Sequence, residues 1–110
     1  MSEIQIKSTE KANIVKISGR LDIAGVQKIE LEFAGIGNKN ENLIVDLSEV
    51  EFCASFGMRM LLSTAKKLDA AGKKFLLSGP NESVLVTLET AGMTTIMPVY
   101  QDEVEALNNL

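Results

Sequence analysis

The sequence predicts an α/β fold: a small mixed sheet of about five strands, an antiparallel N-terminal hairpin followed by a parallel remainder, covered by about four helices. Three observations carry that expectation. Two short apolar runs stand close together at the start of the chain, as a hairpin requires. Beyond them, apolar runs of strand length alternate with segments of helical period. Each helical segment is long enough to serve as the crossover between parallel strands.

Ile4, Ile6 and Ser8 alternate with polar residues as in a half-exposed strand, and Ile14, Val15 and Ile17 form a second. The polar turn Glu10–Asn13 joins them, and Gly19 is expected to end the second strand. From Ile23 to Ile36 the period changes. Val26, Ile29, Phe33 and Ile36 share one helical face, Asp22 stands ready to cap the first amides, and Gly35, Gly37 and Asn38 supply the stop. Leu43–Leu47 reads as a central strand buried on both faces. A second helix runs from Ser55 to Ala70 and another buried strand from Lys74 to Leu77. Pro80 opens a third helix carrying Val84, Leu88 and Ala91, closed by Gly92. Ile96–Val99 is the expected last strand and Asp102–Leu107 a terminal helix. Such helices cover one face of the sheet and leave the other partly open. Residues 1–110 are expected to form one domain, without linker, repeat or low-complexity tract.

Composition narrows the chemistry. The 110 residues include 11 basic and 15 acidic side chains, a net charge of −4. With no basic stripe beyond Lys66, Lys67, Lys73 and Lys74, direct nucleic-acid binding is not expected. Histidine is absent and Cys53 is the one cysteine, which removes the usual general base, a Cys/His zinc site and any internal disulfide. Gly35-Ile36-Gly37 lacks the third glycine of a dinucleotide loop, and Gly72-Lys73 lacks the Walker spacing. Asp46, at the end of a buried strand, has no second aspartate two residues on. No catalytic residue, metal ligand or cofactor is therefore assigned. No run approaches the roughly 20 apolar residues of a spanning helix, and the expected compartment is the cytoplasm. A binding protein is expected, not an enzyme.

The most informative stretch joins the central strand to the second helix, Val45 to Leu62. Ser55 stands at the expected N-cap, and Gly57 lets another backbone come close. The free amides of that first turn favour negative charge, so a phosphate on Ser55 would be accommodated locally while adding about −1.5 to −2 charge to the surface. On a helical wheel Met58, Leu61, Leu62, Ala65 and Leu68 face the core, whereas Phe56, Met60, Ser63 and Lys67 face away. Two large apolar side chains facing solvent beside a candidate phosphoacceptor suggest a protein-docking patch. The competing reading starts the helix a residue or two later and tucks Phe56 under a loop. Cys53, in an apolar setting, reads as a small core residue.

Ser18-Gly19-Arg20-Leu21-Asp22, then Val45-Asp46-Leu47-Ser48 with Val50 and Phe52, then Ala54-Ser55-Phe56-Gly57 entering an amphipathic helix, resemble the STAS domain, the family that includes the bacterial anti-sigma-factor antagonists. The order of elements fits along essentially the whole chain. The resemblance implies a STAS-like fold, an anti-sigma factor with serine-kinase activity as partner, and a phosphatase that reverses the modification. Carried over by position, it puts the phosphoacceptor at Ser55, the motif glycine at Gly57 and the aspartate of the first segment at Asp22. Partner contact is then expected at Asp22, Ala54, Ser55, Phe56, Gly57, Arg59 and Met60. Arg20 stands where the family has glutamate, Ala54 where it has aspartate and Phe56 where it has a second serine. The loss of the acidic neighbour leaves open an alternative role without phosphorylation, as an accessory subunit of a transporter ATPase or another signalling complex.

Overall fold

The computed structural model describes residues 2–110 and consists of one five-stranded sheet with helices on both faces. In chain order the elements are β1 (Glu3–Ser8), β2 (Asn13–Leu21), α1 (Ile23–Gly37), β3 (Leu43–Cys53), α2 (Ser55–Ala70), β4 (Phe75–Ser78), α3 (Glu82–Thr90), a 3-10 turn (Met93–Thr95), β5 (Val99–Tyr100) and α4 (Glu103–Asn108). The strands lie side by side in the order β1-β2-β3-β4-β5. β1 runs antiparallel to β2, and every other pairing is parallel. The predicted mixed α/β architecture is the one found.

The hairpin turn is held by Thr9, whose amide and hydroxyl both donate to the Ala12 carbonyl, at 2.9 and 2.8 Å. Alternation along the parallel strands then sorts side chains between two layers. Val15, Ile17, Leu43, Val45, Leu47, Phe75 and Leu77 face α1, α2 and α3 and form the main core with Phe33, Leu61, Leu68 and Leu88. Ile14, Ile44 and Leu76 face the other way and form a smaller core with Ala106 of α4. The second face is thus partly covered, by the terminal helix.

Several boundaries differ from the sequence-based expectation. β2 does not stop at Gly19 but continues to Leu21, and β3 runs past Leu47 to Cys53. Register shifts between Lys16 and Ser18 and between Gly19 and Arg20 let the two strands stay paired there despite their charged residues. The last strand lies later than expected, at Val99–Tyr100, because Met93–Thr95 forms a 3-10 turn and Pro98 brings no amide to a ladder. The third helix starts at Glu82, with Asn81 as its cap, instead of at Pro80.

Candidate functional site

The extended ends of β2 and β3 carry the chain to two helix starts that sit side by side. Arg20 pairs in register with Phe52 and Leu21 with Cys53. One residue later Asp22 begins α1, and Ala54 begins α2. The Ala54 amide donates to the Leu21 carbonyl at 3.0 Å, which ties the second start to the end of the first strand. Gly57 completes the junction. A Cβ there would lie 2.7 Å from Leu21 Cβ and 2.9 Å from the Leu21 carbonyl oxygen, so only glycine lets α2 approach this closely.

Asp22 is the N-cap of α1, as expected: its Oδ1 accepts the Gly25 amide at 2.9 Å, and Arg20 Nε donates to Oδ2 at 3.4 Å. The Gly25 amide, with Arg20 adding to it, holds the Asp22 carboxyl below the usual carboxylate range. Ser55 is not the cap of α2. That position belongs to Ala54, which has no side-chain oxygen to offer, and Ser55 is the first helical residue with its side chain in solvent. The first amides of α2 therefore have no side-chain acceptor on their own cap residue.

The segments at the two helix starts carry exposed apolar side chains and two arginines. Phe56 is 45% exposed, Phe52 38% and Ile23 53%. The Arg20 guanidinium stands 4.5 Å from the centre of the Phe52 ring, and that of Arg59 stands 5.8 Å from Phe56. Phe56 thus lies in solvent and not beneath a loop. Met60 does not face solvent as the wheel suggested. At 9% exposure it belongs to the main core, because α1 packs beside α2 and covers the flank that a one-helix wheel assigns to water. Met58 and Leu62 are only half-buried, while Leu61, Ala65 and Leu68 are core as expected. Gly57 is buried. Between α1 and α2 a groove of about 330 Å³ opens beside Phe56 and Arg59, with Met60 and Phe33 in its walls and Glu30 at its rim.

The expected site residues thus converge on one surface. Asp22, Ala54, Ser55, Phe56 and Arg59 reach it, and Gly57 and Met60 lie beneath. Ile23, Phe52 and Arg20 are exposed at the same end of the sheet, and no contact role was assigned to them from the sequence. The one available signal was strand pairing, which brings Arg20 to Phe52. Cys53 is buried, and burial pushes its thiol up to about 11. Burial also pushes the Asp46 carboxyl up, but the surrounding hydrogen bonds, the Ser48 amide at 2.8 Å among them, together with the Lys16 charge outweigh it and leave the group below its ordinary value. Among the described residues no three His, Cys, Asp or Glu side chains are grouped to hold a metal ion, and no described helix is long and apolar enough to cross a membrane.

The model of the STAS domain matches residues 3–106. An anti-sigma F factor antagonist of Paenibacillus polymyxa is 26% identical, over 98% of this chain and 94% of its own. Among solved structures, an anti-sigma factor antagonist from Mycobacterium paratuberculosis superposes with a TM-score of 0.91, covering 99% of this chain and 93% of that one at 22% identity. The anti-sigma factor antagonist SpoIIAA of Bacillus has been solved in both an unphosphorylated and a phosphorylated form. Their TM-scores are 0.78 and 0.72, with identities of 20% and 19% and coverage of 97% of this chain and 95% and 98% of the other. At these identities the structures attest the fold alone. With the family model spanning nearly its full length, the chain belongs to the STAS domain family, and the relatives it matches are named anti-sigma factor antagonists.

Proposed function

We propose that the chain, acting as one cytoplasmic STAS domain and without catalysis of its own, binds an anti-sigma factor with serine-kinase activity, and that phosphate on Ser55 breaks the complex until a phosphatase removes it. The observation that carries this reading is the placement of Ser55. Its side chain is exposed at the first turn of α2, next to the exposed Phe56 and at the end of the sheet where Ile23, Phe52, Arg20 and Arg59 are exposed as well. A partner seated on that surface covers the Ser55 hydroxyl. A phosphate there would add about −1.5 to −2 charge within the contact and would have to be desolvated with it. Asp22, Ala54, Phe56 and Arg59 supply contact, while Gly57 and Met60 hold the surface from below. That SpoIIAA exists in phosphorylated and unphosphorylated forms supports the reading by analogy of fold.

The test is capture of the tagged chain from its native cells, with mass identification of its partners and of phosphate on Ser55. A kinase-like ATPase in the bound fraction, with phosphoserine 55 in the unbound pool, is the expected result. A transporter ATPase together with unmodified Ser55 would overturn it in favour of a constitutive accessory subunit. With the partner in hand, Ser55→Asp is expected to weaken the complex at least tenfold, and Phe56→Ser to weaken it with little change in Tm, since Phe56 is already exposed.

A further inference from the structure

The two edges of the sheet are unlike. β5 is two residues long and preceded by Pro98, so it offers almost no ladder to a neighbour. β1 is six residues long and contains no proline or glycine, and no strand lies beyond it among the described residues. Its pairing with β2 runs unbroken from Glu3–Ser18 to Ser8–Asn13, without a bulge to turn the edge away. Five of its six residues are exposed, including Ile6 at 45%. A row of outward backbone N–H and C=O groups on such a strand is a template for another strand.

The side chains point to one occupant. Read as Glu3-Ile4-Gln5-Ile6-Lys7, β1 is self-complementary when laid antiparallel against itself about Gln5. Glu3 then stands opposite Lys7 of the second copy, Ile4 opposite Ile6, and Gln5 opposite Gln5. The two-fold axis repeats each pairing, giving two opposite-charge pairs and two isoleucine pairs. Ile4 and Ile6 lie on the face of β1 that pairs with Ile17 and Val15, so the new isoleucine contacts continue the main core across the junction. Lys7 is paired with Glu103 at 3.1 Å, but its side chain is 64% exposed and that ion pair is cheaply given up. We propose that this chain self-associates through the free edge of β1, with two copies forming one continuous ten-stranded sheet.

In such a dimer the axis is perpendicular to the sheet, so the two Ser55 surfaces lie at opposite ends and remain free. The interface is small by the standard of stable complexes, and a weak, concentration-dependent dimer is expected. Sedimentation of the full chain from roughly 10 µM to 1 mM should show the average mass rising toward twice the monomer value. Glu3→Lys and Lys7→Glu each place like charges opposite one another twice, and each should weaken the dimer about tenfold. The double swap Glu3→Lys with Lys7→Glu restores the complementarity and should return association to within about threefold of the parent. Thermal melts check that the variants are folded. If Lys7→Glu is destabilised through the loss of its Glu103 pair, Glu3→Lys alone decides, because it leaves that pair intact. A monomer at every concentration would overturn the proposal. So would a dimer indifferent to Glu3→Lys, or a folded double swap that fails to re-associate.

Discussion

The two helix starts at the end of the sheet are neighbours built on opposite plans. α1 begins with a side-chain cap of its own, Asp22 on the Gly25 amide, reinforced by Arg20. α2 begins with Ala54, which caps nothing, and is held by close packing of Gly57 on Leu21 and by the Ala54 amide on the Leu21 carbonyl. The first turn of α1 is therefore chemically closed, whereas that of α2 keeps amides available beside an exposed hydroxyl. A helix whose start is fixed by packing can leave its polar ends for another purpose.

This contrast can be broken most severely at Gly25. A methyl group there would run into the Arg20 carbonyl and the Ser2 hydroxyl, and Gly25→Ala is expected to destabilise by about 3 kcal/mol or to prevent folding, as read by urea denaturation. Gly57→Ala should come next, at about 1–3 kcal/mol, because Leu21 and Cys53 must both give way. Ala54→Asp works in the other direction. By giving α2 the kind of cap that α1 has, it should stabilise the fold by about 1 kcal/mol in the same experiment; no gain would mean that the first amides of α2 are already satisfied. The smallest expected effect is that of Asp22→Ala, a modest loss of stability that depends on pH. The folded Asp22 carboxyl ionises below its ordinary range, so its contribution is fully present at neutral pH and is lost as pH falls through the folded value. The gap in Tm between parent and variant should therefore close in acid. A gap that persists there would assign the loss to packing instead of to the cap.

Much of this comparison could be read before the structure. Asp22 as a cap followed from its place before a helical period, and Gly57 as a point of close approach followed from its place in the first turn of α2. Ser55 as cap did not hold: α2 spans Ser55–Ala70 as expected, but Ser55 is its first helical residue and Ala54 the cap, a distinction of a single residue that the sequence pattern does not resolve. Met60 was misplaced for a different reason. A wheel gives the phase of one helix against the sheet, but burial of that flank comes from α1, a non-local partner with no imprint on the local period. The ends of β2 and β3 were missed because Arg20, Glu49 and Glu51 look like loop, yet pairing through register shifts keeps the two strands together there. Those two extensions are what bring Arg20 to Phe52, so the contact surface was less legible than the fold that carries it.

Cys53 has a practical consequence. It is the only thiol in the chain, it lies immediately before the start of α2, and burial keeps it protonated at neutral pH. Attack by an alkylating reagent must wait until this junction opens, so the rate of modification is a clock for local unfolding at the start of α2, with no probe added to the molecule. Comparing that clock between free chain, Ser55→Asp and complex would show whether a partner grips a rigid junction or one that breathes.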